Sequence, residues 1–285
     1  MKTIIISDIK SNSGSIIPYG LELAKHLQSE VKILHIVDPR IQQGVYSAYS
    51  DSQSIAPGDK LSYENIIERE KSQARIELDR ILSREASRLN FPLKITIEAE
   101  EYEVEEKMKM EADGNKSLLI MINQHPDNYM FVNKTEIVQA VDGIDALSLI
   151  LPPGMEFREF KKVLFLSDFT STHFILYDRV LALLNFFKST IDIIESEEDK
   201  NDTDTEIRRT EWTMKMNRKY PDLVFTNSLI TGSSFFDEVI SYIDRKLPDL
   251  VVMIKRKQNI FNSVFHKRPL LQLISHIEIP VLYSA

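Results

Sequence analysis

The chain has 285 residues, which exceeds the roughly 100–200 residues of an ordinary domain and predicts two domains. Lys and Arg number 35 and Asp and Glu number 43, so the formal net charge is −8, and neither nucleic acid nor an anionic membrane is predicted as a partner. Cysteine is absent, which excludes disulfides, thiolate metal sites and thiol nucleophiles and favours a reducing, cytoplasmic location.

Short β-branched segments alternate with longer amphipathic segments, a pattern typical of βαβ units and a mostly parallel sheet. The first half is predicted to contain strand 3–7, helix 15–28, strand 31–37, helix 63–89, strand 93–99, helix 104–112, strand 117–122, helix 131–141 and strand 146–151. The second half is predicted to contain strand 162–167, helix 173–188, strand 190–194, helix 205–220, strand 223–229, helix 234–246, strand 250–254, helix 263–276 and strand 279–283. The sequence therefore predicts an α/β protein with five strands in each half.

The two halves are related by an internal duplication. Residues 2–34 match residues 162–194 at a constant offset of 160, and the match resumes at an offset of 132 near the end of each half. The difference of 28 residues corresponds to a polar loop in the first half, from Asp38 to about Leu61. We therefore predict one domain over residues 1–153, with an insertion after its second strand, and another over residues 160–285.

The motifs of common enzymes are missing from the chain. It has only 8 glycines, and none has the spacing of a dinucleotide fingerprint or a P-loop. No serine lies between glycines as a nucleophile elbow requires, and no H-E-x-x-H pattern occurs. The 6 histidines form no i, i+4 pair, so we interpret each as an ordinary helix or loop residue and predict neither a metal site nor an enzyme.

Three features in order resemble the universal stress protein family over nearly the whole chain. The first strand of each half ends in Ser-Asp, the fourth strand is aliphatic, as in Leu-Pro-Asp-Leu-Val-Val-Met-Ile at 247–254, and the last strand follows the pattern His-Ile-Glu-Ile-Pro-Val-Leu-Tyr at 276–283. The resemblance implies a five-stranded, doubly wound parallel sheet with helices on both faces in each half. Since the family dimerises through its last strands, it also implies that the tandem chain forms an intramolecular pseudo-dimer.

Many members of the family bind ATP through the motif G-x2-G-x9-G-[ST] after the fourth strand, where backbone amides and a helix start hold the phosphates. In the second half these positions carry Ile254, Lys257, Lys267 and Arg268, and in the first half they carry Ile122, His125, Thr135 and Glu136. Neither half keeps a glycine, and a side chain at each position would crowd the phosphates. The chain therefore resembles the branch that does not bind ATP, and no cofactor is predicted.

Two groups of residues are candidates for binding a nucleotide or another anion. Asp8 and Asp168 follow the first strand of each half, near the switch point where doubly wound sheets bind ligands. Basic residues surround the missing glycine motif of the second half, among them Lys255, Lys257, Lys267 and Arg268. Structural interpretations remain open beside these, since the aspartates could cap the following helix and the basic residues could form a solvated loop.

The leading hypothesis is a non-enzymatic, cytoplasmic stress-response protein that acts by binding a protein partner of unknown identity. Its partner surface would be the insertion of the first half or the exposed ends of the sheets. The alternative is a nucleotide or anion sensor that uses a remodelled site in the second half only. Whether two chains pair further into a homodimer is left open.

Overall fold

The computed structural model of the protein describes residues 1–7, 9, 16–39, 63–90, 92–114, 118–124, 133–166, 174–196, 203–230, 235–254 and 269–284. They belong to two compact units, Met1–Phe157 and Arg158–Ala285. Most of the predicted insertion, at residues 40–62, lies outside the described residues. None of the described helices combines the length and the apolar composition that are needed to cross a membrane.

The described strands of the first unit form one parallel sheet in the order β3-β2-β1-β4-β5. Its strands are β1 Lys2–Ile6, β2 Glu30–Val37, β3 Ile95–Glu101, β4 Leu118–Asn123 and β5 Leu147–Leu151. Its helices are α1 Ile17–Leu27, α2 Tyr63–Leu89, α3 Val104–Ala112 and α4 Lys134–Asp142. Because the strand order reverses between β1 and β4, the sheet is doubly wound.

The described strands of the second unit repeat this topology in the order β10-β9-β6-β7-β8, again with parallel pairs. Its strands are β6 Lys162–Leu166, β7 Thr190–Ser196, β8 Val224–Ile230, β9 Leu250–Ile254 and β10 Val281–Ser284. Its helices are α5 Phe174–Asn185, α6 Thr203–Lys219, α7 Phe235–Lys246 and α8 Pro269–His276. The predicted α/β fold, with a five-stranded parallel sheet in each half, is confirmed. The intramolecular pseudo-dimer stays a prediction.

The helices of the first unit cover both faces of its sheet, so the central strands are apolar on both sides. Every residue of β4 is buried. Helix α1 packs on the face of Ile5, where a Cβ atom added to Gly20 would lie 2.5 Å from Ile5 Cδ1. Helix α3 binds the opposite face through Glu111, which contacts Lys32. The glycine at position 20 thus permits a close approach between α1 and β1.

Several predicted boundaries differ from those of the structure, and local contacts explain two of the differences. The strand predicted at 93–99 spans Ile95–Glu101, because its last residues pair with β2 as far as Val37 and its carboxylates bind lysines. The helix predicted to start at residue 131 starts at Lys134, because the side chain of Asn133 caps it. Of the helix predicted at 263–276, the described part is Pro269–His276.

Candidate functional site at the carboxyl ends of the strands

The binding residues predicted from the sequence fall outside the described part of the chain. They are Asp8, Asp168, Lys255, Lys257, Lys267 and Arg268. Their roles therefore stay predictions. The structure does describe the residues that line the carboxyl ends of β1, β2 and β4 in the first unit, together with the start of α4.

A row of three polar residues crosses the carboxyl end of the first sheet. The parallel register pairs Ile6 with Leu34 and Ile5 with Met121. Ser7 is one residue after Ile6 and two residues after Ile5. The same register therefore places Ser7 between His35 of β2 and Asn123 of β4, on one face of the sheet. This is the switch point between β1 and β4, where doubly wound folds bind ligands.

The polar row is buried and uncharged. Ser7, His35 and Asn123 are exposed by 0%, 1% and 0%, respectively. The Ser7 N–H donates to the Leu34 carbonyl at 2.9 Å, and His35 Nδ1 lies 3.5 Å from Ser7 Oγ. Burial lowers the pKa of His35 to about 4, so the imidazole is neutral near pH 7. Our interpretation of every histidine as a helix or loop residue was wrong for His35, which lies in a buried strand.

Gln124, the residue after β4, is also buried at this end of the sheet, with 4% of its surface exposed. Its N–H donates to the Leu151 carbonyl at 2.9 Å and so fixes the end of β4 beside β5. Its side-chain Oε1 has no hydrogen-bond donor among the described residues. Burying an amide oxygen without a hydrogen-bond donor costs free energy. A donor that reached this oxygen would therefore be bound favourably.

The start of α4 contains two of the four first-half positions that match the family's ATP motif, Thr135 and Glu136. Asn133 is the N-cap, and its Oδ1 accepts the N–H groups of Thr135 and Glu136 at 2.9 Å and 3.1 Å. A third motif position, Ile122, is fully buried within β4, and His125 lies outside the described residues. Two amides at the helix start are thus bound to the protein's own side chain, and the Glu136 carboxylate adds negative charge to this first turn.

A cluster of ion pairs, which the sequence analysis missed, joins α3 to the other face of the first sheet. Lys32 Nζ lies 2.7 Å from Glu98 Oε2 and 2.7 Å from Glu111 Oε1. Lys107 Nζ lies 2.6 Å from Glu100 Oε2 and 3.3 Å from Glu111 Oε1. Burial opposes ionisation of Glu111, but hydrogen bonding and the charge of Lys32 lower its pKa, with help from Lys2 and Lys107.

This ion cluster has a signal in the sequence. Lys32 interrupts an apolar strand, Glu98 and Glu100 alternate with the period of a strand, and Lys107 and Glu111 are spaced by one helical turn. The cluster pairs its charges internally, which suits a structural attachment of α3. The described residues contain no group of three or more side chains placed to hold a metal ion.

The second unit has a different polar cluster between its sheet and α7. Asp192 of β7 accepts hydrogen bonds from Thr226 Oγ1 at 3.0 Å, from Ser228 Oγ at 3.0 Å and from the hydroxyl of Tyr242. Burial raises the pKa of the Tyr242 hydroxyl, and its hydrogen bond to Asp192 raises it further. The tyrosine therefore stays protonated and donates to the carboxylate.

No protein-family model matches the chain, and no curated protein sequence matches it. Among solved structures, a universal stress protein from Archaeoglobus fulgidus DSM 4304 is similar, with a TM-score of 0.67 and 14% identity over 99% of this chain and 95% of that one. A functionally unknown protein from Pseudomonas aeruginosa PAO1 has a TM-score of 0.56 and 12% identity over 99% and 92%. A provisionally assigned universal stress protein from Pseudomonas aeruginosa UCBPP-PA14 has a TM-score of 0.55 and 12% identity over the same shares. The chain therefore has the fold of universal stress protein structures.

Proposed function

We propose that the chain is a non-enzymatic protein of the universal stress protein type, with two such units forming a pseudo-dimer within one chain. It acts in the cytoplasm during stress by binding a protein partner, and it does not bind ATP in the manner of the family. The observation that carries this proposal is the start of α4, where Asn133 already accepts the amides of Thr135 and Glu136.

The polar residues at the carboxyl end of the first sheet support the same proposal. A nucleotide needs accessible amides or cations for its phosphates. At the carboxyl end of the first sheet, the described residues Ser7, His35, Asn123 and Gln124 are at most 4% exposed and carry no charge. An acid–base catalyst has to reach its substrate, and these buried groups offer no accessible proton donor or acceptor.

Phosphoester turnover tests the non-enzymatic role. The purified full-length chain is incubated with ATP and with an artificial phosphoester, and released phosphate is measured beside the Asp168→Ala and Asp8→Ala variants. We expect the same background rate in all three proteins. Turnover by the wild type that disappears in Asp168→Ala would refute the proposal.

A second candidate function is an anion or nucleotide sensor in the second unit. The offset of 132 places Lys255 and Arg256 where the first unit has the buried, uncharged Asn123 and Gln124, and Lys257 follows them. Basic side chains could hold phosphate by charge where the family uses backbone amides. The double variant Lys257→Glu with Lys267→Glu tests this candidate, because it should abolish any nucleotide or phosphate binding. Unchanged affinity in that variant would exclude the candidate.

A further inference from the structure

The outer strands β3 and β8 occupy equivalent places in the two units, but their edges differ in charge. Among the described residues, β3 forms strand-pairing hydrogen bonds only with β2, and β8 only with β7. Strand β3 has the sequence ITIEAEE, with carboxylates at Glu98, Glu100 and Glu101. Strand β8 has the sequence VFTNSLI and carries no charge. Charged side chains on an edge strand oppose pairing with another strand, and β8 lacks this protection.

The backbone of β8 presents a regular set of hydrogen-bonding groups on the side that faces away from β7. The Val224 N–H donates to the Ser189 carbonyl at 3.1 Å, so the backbone groups of residue 224 point towards β7. The backbone groups of successive residues in a strand point to opposite sides. The N–H and C=O groups of Phe225, Asn227 and Leu229 therefore point away from β7. Side chains beside this edge are accessible, since Val224 is 54% exposed and Thr226 and Asn227 are exposed.

We propose that β8 pairs with β8 of a second copy of this chain, antiparallel and around a two-fold axis at Asn227. In this register Asn227 faces its own counterpart, and Phe225 faces Leu229 of the other copy. Three facing pairs that exchange two bonds each would give about six backbone hydrogen bonds. The Asn227 side chain has both donors and an acceptor, so it is complementary to itself across the axis.

The charge difference favours β8 over β3 as the edge that pairs, and the self-complementary register around Asn227 favours a second copy as its occupant. Pairing of β3 with itself would bring Glu98, Glu100 and Glu101 of both copies into one short stretch. The lysines that pair with Glu98 and Glu100 offset the resulting repulsion only in part. Pairing of β8 with itself meets no such repulsion. The area that a seven-residue edge can bury is small compared with the roughly 1,200–2,000 Å² that a stable interface buries. The dimer should therefore be weak and concentration-dependent. This inference stands apart from the proposed function, since it needs neither a ligand nor another protein.

Sedimentation velocity over a wide concentration series of the full-length chain tests the pairing. We expect the wild type to dimerise reversibly, and Asn227→Lys and Asn227→Glu each to weaken the dimer by about tenfold or more, because like charges would face each other. An equimolar mixture of the two variants should restore association, because lysine would then face glutamate. Thr96→Lys on β3 is the matched control, and it should leave the wild-type dimer unchanged.

Thermal unfolding of each variant verifies that the exposed substitutions leave the fold intact. A wild type that stays monomeric at every concentration would overturn the proposal. So would a dimer that persists in both Asn227 variants, since association would then use another surface, and so would a mixture of the two variants that fails to associate. None of these results bears on nucleotide binding or turnover, so the proposed function is tested separately.

Discussion

The two units attach the helix before their fourth strand through different chemistry at equivalent positions. Lys32 of β2 and Asp192 of β7 are related by the offset of 160. In the first unit, Lys32 joins the sheet to α3 through the carboxylates of Glu98 and Glu111. In the second unit, Asp192 accepts hydrogen bonds from hydroxyl groups, including that of Tyr242 on α7. One topology thus uses ion pairs for this attachment in one unit and hydrogen bonds from hydroxyl groups to a carboxylate in the other.

This difference separates the positions that determine the fold from those that are free to diverge. Ile33 and Ile193, the neighbours of Lys32 and Asp192, are both 0% exposed and keep the same apolar character. Burial of such residues contributes to the strand pattern of both halves. The polar position beside them changed from a cation to an anion without changing the strand order. We therefore expect the two units to respond differently to substitution and to pH.

Lys32→Met should have the largest effect of the changes considered. It leaves Glu98 and Glu111 without their closest cation, and both Lys32 and Glu111 have side chains only 11% exposed. Breaking such a pair should lower the free energy of unfolding of the first unit by about 3 kcal/mol. Urea unfolding followed by far-ultraviolet circular dichroism measures the loss, while fluorescence of Trp212, the single tryptophan, reports the second unit alone.

Lys94→Met is the matched control for that substitution. Lys94 Nζ also lies 2.7 Å from a carboxylate, that of Glu30, but the two side chains are 73% and 59% exposed. Water screens such a surface pair, so the unfolding midpoint should scarcely move. Equal effects of Lys32→Met and Lys94→Met would contradict the structural role of the ion cluster.

The pH dependence of the first unit should follow His35. Burial lowers its folded pKa to about 4 from an ordinary value of 6.5, so the unfolded chain takes up the proton first as the pH falls. The contribution of neutral His35 to the free energy of unfolding is therefore fully present above pH 6.5. It is lost as the pH falls towards 4, by about 2 kcal/mol between pH 7 and pH 5. His35→Gln should remove this slope, whereas His26→Gln, at an exposed position, should keep it. A slope that survives His35→Gln would assign the effect to other groups.

Tyr242→Phe should have a smaller effect on stability than Lys32→Met or the protonation of His35. The substitution removes one donor from Asp192, which keeps Thr226 and Ser228 as partners, so the second unit should lose about 1 kcal/mol. The loss should appear in the Trp212 fluorescence transition because that residue lies in the second unit. An unchanged fluorescence transition would show that the polar cluster around Asp192 does not stabilise α7.

Local patterns in the sequence predicted most of the fold. Apolar runs and helical periodicity predicted the strands and helices, and the offset predicted that they repeat. The ion cluster was missed because its partners are distant in sequence, with Lys32 and Glu111 separated by 79 residues. The capped start of α4 was missed although Asn133 precedes Glu136 by three residues, a spacing typical of a helix start. The burial of His35 depends on helices from other parts of the chain, which no local pattern reveals.

A calorimetric titration of ATP into the nucleotide-stripped, full-length chain tests the account most directly, with ADP, AMP, cyclic nucleotides and phosphate titrated in parallel. The first unit should bind none of them, because the amides at the start of α4 are held by Asn133 and the polar row beside β1 is buried and uncharged. Any binding should therefore disappear in Asp168→Ala and persist in Asp8→Ala. Binding of ATP that is lost in Asp8→Ala but retained in Asp168→Ala would place the nucleotide in the first unit and contradict the account.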